Sequence, residues 1–139
     1  MDFPVALDFV AARRRGLLTT LRRDGRPQQS LIYFLADGPR CTISITATRA
    51  KYANLRRDPR ATLFVAGDDD FHWVVLDGVV ELSAPAAAVD DATCDALVEY
   101  YRNANGEHPD WADYRRAMVA EQRVVATFTA TSATGLLRG

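Results

Sequence analysis

Apolar and polar positions follow a helical period at the start of the chain. The apolar residues on one side of the predicted helix are Val5, Phe9 and Ala12. Pro4 suits a first helical turn, where a missing N–H is tolerated. The arginines at residues 13–15 suit a last turn, because cations are favoured at the negative end of the helix dipole. The pattern therefore predicts an amino-terminal helix that ends in these arginines.

The next segment changes to strand patterning. Its apolar and β-branched runs are separated by the turn signals Asp24-Gly25 and Asp37-Gly38. They predict three consecutive antiparallel strands, at about residues 17–22, 28–35 and 41–46. In the third strand the side chains alternate, so one face is expected to be apolar and the other hydroxylic. The apolar face would hold Ile43 and Ile45, and the hydroxylic face Thr42, Ser44 and Thr46.

The second half of the chain mixes short helices with strands. A helix is predicted at 51–57, because the residue before Pro59 is disfavoured in the helical region. "ATLFVAG" predicts a buried strand, and "FHWVVLDGVVELS" predicts one long strand or a hairpin bent at Asp77-Gly78. Next, the pattern predicts a long helix that is capped near Asp90 or Asp91 and closed by Asn105-Gly106. A second short helix at 112–122 and a last strand at 123–137 are predicted after it.

This order of elements indicates a fold class. Many short strands with closely spaced turns, and little alternation of strand with helix, are typical of a small β-barrel with appended helices. The chain has 139 residues, of which 48% are hydrophobic. We therefore expect a single domain over residues 1–139, with no apolar run near the ~20 residues that span a bilayer.

Composition narrows the classes of partner. The formal net charge is -1, so no overall field would attract nucleic acid or an anionic membrane. Cys41 and Cys94 stand apart without metal-ligand spacing, which suits a reducing cytoplasm. The amino terminus lacks the order of a secretory signal, because its arginines follow its apolar run. We therefore expect a cytoplasmic protein in which any anion site is local.

Motifs for several chemistries are missing from the sequence. It has no glycine-rich nucleotide loop and no nucleophile elbow. The two histidines, His72 and His108, are far apart and lack neighbouring ligands, so no metal site is expected. Most acidic residues are predicted to lie in turns or to cap helices. No catalytic residue is assigned.

One local feature favours an anion site. Lys51 is the only lysine, against sixteen arginines, and follows Arg49 at the start of a predicted helix. A helix start already favours an anion, and two cations there would add a planar guanidinium and a compact ammonium. With the hydroxylic strand face just before it, this region predicts a phosphate site. The alternative is a solvated helix start.

The order of several motifs resembles a known family. The segments "LLTTLRRDGRPQQSLIYF", "ISITATRAKYANLRRDPRATLFV" and "GVVELS" are similar to the split β-barrel flavin and deazaflavin oxidoreductases related to pyridoxamine phosphate oxidase. "RAK", "NLRRDPRA" and "LVEYYRNANGEHPDWADYRRAMVAEQRVV" resemble the actinobacterial branch that uses coenzyme F420. The resemblance implies an FMN-binding split β-barrel of six to seven antiparallel strands, Greek-key-like, with flanking helices. It also implies a homodimer with the cofactor groove at the interface.

The resemblance assigns residues to that groove. Arg49 and Lys51 would hold the coenzyme phosphate with Ser44 and Thr46 beside it, while Ile45 would contribute mainly backbone. The remaining assignments are Gln28 and Ser30 along the deazaflavin ring, Phe71, His72 and Trp73 at the groove border, from either subunit, and Arg123 as a further contact.

These assignments have structural alternatives. Gln28 and Ser30 also suit a solvent-facing strand. Phe71 and Trp73 share a strand face and equally suit a core or a dimer interface, and His72 then points the other way. Tyr33 is expected to pack rather than to donate a proton.

The resemblance implies hydride transfer from reduced F420 to an electron-poor conjugated small molecule, because in such enzymes the cofactor carries the difficult chemistry. Two alternatives stay open. One is an FMN-binding oxidase or reductase of the pyridoxamine phosphate oxidase type. The other is a non-enzymatic F420-binding carrier or sensor.

Overall fold

The computed structural model describes residues 1–138, and these form four helices and seven strands. No helix among them is long and apolar enough to cross a membrane. The elements, in chain order, are α1 (Phe3–Ala11), β1 (Arg15–Leu21), β2 (Pro27–Tyr33), β3 (Leu35–Asp37), β4 (Arg40–Thr46), α2 (Ala50–Arg57), β5 (Arg60–Ala66), β6 (His72–Leu82), α3 (Ala92–Asn105), α4 (Trp111–Ala120) and β7 (Arg123–Leu137).

All seven strands join one antiparallel sheet in the order β2-β1-β5-β6-β7-β4-β3. The two edge strands, β2 and β3, are consecutive in the chain and only Phe34 lies between them. A flat sheet of this order would hold its edges far apart, so the sheet must curl until they meet. The result is a half-open, split β-barrel, which confirms the predicted fold class.

The barrel interior holds the main core. On β1, β4 and β5, buried residues alternate with partly exposed ones, as the period-2 geometry requires. The largest fully buried side chains of the strands are Leu18, Ile43, Ile45, Leu63, Val65, Val74, Leu76, Val124 and Phe128. A second cluster lies between α3, α4 and the outer face of β7, where Leu97, Tyr114 and Met118 pack near Val125. Helices α3 and α4 therefore cover one outer flank of the barrel.

The predicted end of the first helix is wrong. Helix α1 ends at Ala11, and Arg15 already belongs to β1, where it pairs with Tyr33. Arg13 turns back, and its Nη1 donates to the Phe9 carbonyl oxygen over 2.9 Å. Arg15 therefore pairs in a strand, although its charge alone would also suit a helix end.

The predicted strand at 28–35 is also wrong as a single element. Phe34 is buried, and its N–H donates to the carbonyl oxygen of Arg14. From Leu35 onward the chain pairs with β4 instead of β1. This one residue carries the chain across the split in the barrel.

The open choice at Asp77-Gly78 resolves to one long strand. Strand β6 runs through this point with a shift of register against β7. A side chain at Gly78 would collide with the Thr129 carbonyl oxygen, so only glycine allows the close approach.

Candidate functional site

Helix α2 starts beside the split in the barrel. Its N-cap, Arg49, gives no side-chain cap to the helix, so helical N–H groups remain free at this end. Strand β4 leads directly into it, and the Arg49 N–H donates to the Thr46 carbonyl oxygen over 3.0 Å. The strand's outward-facing hydroxyls, on Ser44 and Thr46, therefore lie next to the positive end of a helix.

A cavity of about 530 Å³ opens at this point, between β2 and β4. It is the candidate functional site, and we call it the groove. Most of the residues assigned from the resemblance line it: Gln28, Ser30, Ser44, Ile45, Thr46, Arg49, Lys51 and Arg123. Residues far apart in the sequence meet here because β2 and β4 lie on the two sides of the split.

The groove is positively charged. Burial, then the charges of Arg49 and Arg123, lower the pKa of Lys51. Arg123 is paired with Glu121, with 2.8 Å between its Nη2 and Oε1. Within residues 1–138, the side chains of Arg49 and Lys51 find no hydrogen-bonding or ionic partner. Three cations share one nearby carboxylate, so the groove suits an anionic group.

Gln28 is held by a chain of hydrogen bonds from the barrel interior. The buried Asn54 of α2 donates from Nδ2 to Thr20 Oγ1 over 3.1 Å. Thr20 Oγ1 donates to Gln28 Oε1, and Gln28 Nε2 donates to Ser30 Oγ. This chain links the helix that carries Lys51 to the opposite wall of the groove. The sequence pattern did not predict this chain of hydrogen bonds.

Sequence reasoning missed several lining residues. They are Leu31, Ile32, Tyr33, Ala50 and Tyr100. Tyr33 is 65% exposed and is therefore not packed in the core. Burial raises the pKa of Tyr100, which reaches the groove from α3. Leu31 and Tyr33 could have been found from their place beside Ser30, but Tyr100 has no signal in a single sequence.

Three assigned residues lie outside the groove of the same chain. Phe71 is 46% exposed and stacks under the Arg138 guanidinium, and Trp73 stacks on Phe64 at 6.1 Å between ring centroids. His72 bonds Asp69 and the Arg138 carbonyl oxygen. A contribution from a second subunit stays a prediction.

An apolar area covers the outer sheet face beside the groove. Leu31 pairs in register with Leu17, Leu17 with Phe64, and Phe64 with Val75, so their side chains form a row. Trp73 stacks next to it on Phe64. We call these five residues the outer patch. Leu31 is 60% exposed and also lines the groove, so patch and groove are continuous.

The fold and groove define a split β-barrel protein with a positively charged groove at the split. The chain belongs to the family described as Pyridoxamine 5'-phosphate oxidase, whose model matches residues 4–134.

Solved structures give the same fold. One titled F420 Reductase is 20% identical, with a TM-score of 0.69 over 91% of this chain and 94% of that one. A conserved hypothetical protein from Mycobacterium tuberculosis is 26% identical, with a TM-score of 0.69 over 98% and 84%. The heme storage protein HutZ from Vibrio cholerae is 13% identical, with a TM-score of 0.68 over 96% and 93%. These neighbours share the architecture of the barrel.

Proposed function

We propose that the protein is an F420-dependent oxidoreductase that transfers a hydride between the deazaflavin coenzyme and an electron-poor conjugated small molecule. The observation that carries the proposal is that Arg49 and Lys51, at the start of α2, line the groove with the hydroxyls of β4 and find no partner among residues 1–138. The similarity to an F420 reductase and membership of an oxidoreductase family support it.

The residues fit the phosphate of such a coenzyme. Arginine offers a planar fork and lysine a compact ammonium, so an anion can be held from two directions. Ser44 and Thr46 can donate further hydrogen bonds, and the free N–H groups of α2 add the helix dipole. The same features suit the phosphate of FMN.

The opposite wall of the groove suits a flat ring system. Gln28 and Ser30 present an amide and a hydroxyl, both held by the chain of hydrogen bonds from Thr20. Leu31 and Ile32 add apolar surface that excludes water. Polar groups fixed in this way orient a ligand at little further entropic cost.

When bound, the reduced deazaflavin supplies the hydride. The protein's contribution is to hold the phosphate at one end, orient the ring at the other and keep water out. The proton that balances the transfer comes from solvent or from a groove hydroxyl. Tyr33 and Tyr100 are the phenols that line the groove.

We propose further that two copies pack through the outer patch and complete the groove between them. Leu31 belongs to both, so burying the patch would also cover one wall of the groove. Phe71, His72 and Trp73 would then border the groove from the second subunit.

We also propose a cytoplasmic location. Cys41 and Cys94 are buried free thiols, which suit a reducing compartment.

A second candidate is an FMN-binding oxidase or reductase, which the family description favours. A third is an F420 carrier or sensor without turnover. Fluorescence titration of the purified protein with oxidised F420, FMN and hemin separates the ligands. We expect saturable binding of F420, and tight binding of FMN or hemin without binding of F420 would overturn the proposal.

Turnover separates enzyme from carrier. Purified protein is mixed with reduced F420 and a panel of conjugated enones and quinones, and re-oxidation is followed by absorbance. We expect at least one member of the panel to be reduced. Coenzyme binding with no re-oxidation across the panel would establish the carrier.

A further inference from the structure

A second cavity, of about 400 Å³, lies on the outer face of the barrel next to the groove. We call it the arginine pocket, because the consecutive residues Arg13, Arg14 and Arg15 line it. Leu31 lines both cavities, so they lie on the two sides of one strand, β2. A molecule in the arginine pocket would therefore lie beside the ligand of the groove.

The floor of this pocket is apolar. Leu17, Leu31 and Phe64 come from three neighbouring strands, β1, β2 and β5, and stand in register on the outer sheet face. Such a surface suits one flat apolar face of a ring system. It offers few hydrogen bonds, so the polar contacts must come from the rim.

The rim carries two cations, Arg14 and Arg15, that find no partner in the described part of the chain. Arg13 already has a partner within the protein. Its Nη1 donates to the Phe9 carbonyl oxygen, and its guanidinium carbon lies 3.6 Å from the Phe9 ring centroid. Within residues 1–138, the side chains of Arg14 and Arg15 make no hydrogen bond or ion pair. Asp68 also lines the pocket, and among the described residues it forms no ion pair with either arginine. The pocket therefore has an excess of positive charge.

Arg14 also links this pocket to the groove. Its positive charge favours the ionised form of Tyr100, whose net pKa is nevertheless raised by burial. Tyr100 lines the groove. A further cavity holds Arg14, Tyr33 and Tyr100 together. Arg14 therefore lies between the two cavities. A ligand that crosses the edge of β2 from the groove would bring its far end close to this arginine.

We propose that the arginine pocket binds the anionic end of the substrate, which is a conjugated ring molecule bearing a carboxylate or a similar acid. This rests on the proposed function, since the reducible part of such a molecule would lie at the groove. Arg14 and Arg15 select for the acid by charge and by bidentate hydrogen bonding. The floor residues Leu17, Leu31 and Phe64 also belong to the outer patch, so in the proposed dimer the second copy would cover this pocket and the anion would lie between the two subunits.

Two dyes test the binding of such an anion in the coenzyme-free protein. They are 8-anilinonaphthalene-1-sulfonate and its uncharged relative N-phenyl-1-naphthylamine, which share a ring system and differ in the sulfonate. Both are titrated by fluorescence. The double variant Arg14→Ala/Arg15→Ala is expected to bind the sulfonate at least about ten-fold more weakly, since charge-assisted hydrogen bonds are lost, and to bind the uncharged dye unchanged.

The matched control is Arg22→Ala/Arg23→Ala, which removes the same charge from an adjacent, exposed arginine pair at the β1–β2 turn. It is expected to leave both dyes unaffected. Equal weakening in both double variants would overturn the pocket, because it would reflect net charge alone. Parallel loss of the uncharged dye would overturn it too, because the apolar floor would then be what changed.

The groove is tested separately with Lys51→Ala. We expect this variant to keep the sulfonate dye and to lose coenzyme affinity. Loss of the dye in Lys51→Ala, with retention in Arg14→Ala/Arg15→Ala, would assign the anion to the groove and refute the arginine pocket. Failure of wild type to bind F420, with dye selectivity intact, would refute the proposed coenzyme while leaving the anion pocket standing.

Discussion

Nδ2 of Asn54 donates a 3.1 Å hydrogen bond to Oγ1 of Thr20, and both side chains are buried. The bond joins α2, the helix that carries Lys51, to the inner face of β1. Thr20 also donates to Gln28 Oε1. One buried hydroxyl therefore fixes two walls of the groove relative to each other.

Removing that hydroxyl should cost both stability and affinity. Thr20→Val keeps the shape of the side chain but leaves the Asn54 amide without its acceptor. We expect the free energy of unfolding to fall by about 1–3 kcal/mol, the usual cost of an unsatisfied buried polar group. Urea titration measures this loss, and coenzyme titration measures the loosening of Gln28.

Thr19→Val is the matched control, on the adjacent outward-facing position. Its hydroxyl accepts only an exposed bond, from Gln29 Nε2 at 3.3 Å. We expect a change within about 0.5 kcal/mol, as for ordinary surface positions. Equal losses in the two variants would show that the buried chain of hydrogen bonds has no special role.

Lys51→Ala should weaken coenzyme binding by about 1–3 kcal/mol, the range for a charge-assisted hydrogen bond. Fluorescence titration measures the affinity. Arg56→Ala removes the same charge from the last turn of the same helix, where the side chain is exposed. The control should bind as wild type, and unchanged affinity in Lys51→Ala would refute the phosphate assignment.

The pH dependence of binding should reveal the same lysine. Burial and two neighbouring arginines lower the pKa of Lys51, so its charge is lost at a lower pH than in an ordinary lysine. Coenzyme affinity should therefore fall from neutral to alkaline pH. In Lys51→Arg the cation persists, because arginine stays protonated.

The comparison of wild type with Lys51→Arg isolates this lysine, since ionisation of the coenzyme itself is common to both proteins. Affinity is measured over a pH series below the ordinary lysine pKa of about 10.4. Parallel profiles for the two proteins would mean that Lys51 does not meet the anion.

The sequence predicted those features of the fold and the groove that depend on neighbouring residues, and missed those that depend on contacts between distant parts of the chain. Alternation and turn residues are local, so the strand faces of Ile43 and Ser44 and the helix beginning after Arg49 were predicted correctly. The switch at Phe34 depends on a backbone bond to Arg14, across the sheet, and no local pattern encodes it. Tyr100 was missed in the groove for the same reason, because it arrives on a distant helix.

The outer patch gives a prediction on assembly. Trp73 stacks on Phe64 at the partly exposed outer face, away from the barrel core. If two copies pack through this patch as proposed, Trp73→Arg should leave the barrel folded but convert the dimer to monomers, because a charge would be buried at the interface without a partner. Sedimentation velocity measures the mass. Val79→Arg, at an exposed apolar position outside the patch, is the control and should stay dimeric.

His72 lies between two acceptors, the Asp69 carboxylate and the Arg138 carbonyl oxygen, each 2.7 Å from a ring nitrogen. Both nitrogens can donate only in the imidazolium form. The hydrogen bond to Asp69, then that to Arg138, raises the pKa of His72, and the bond to His72 lowers the pKa of Asp69. These hydrogen bonds therefore tie the residue after β7 to the start of β6.

The sign of the pH effect follows from these shifts. The raised pKa of His72 gives stability that is complete below about 6.5 and is lost as pH rises through the folded-state value. The lowered pKa of Asp69 gives stability that is complete above about 3.9 and is lost as pH falls. The difference in unfolding free energy between wild type and His72→Gln should therefore be largest between these values and shrink toward alkaline pH. Asp69→Asn should flatten that dependence, and a difference that does not change with pH would mean that the pKa of His72 is the same in the folded and the unfolded protein.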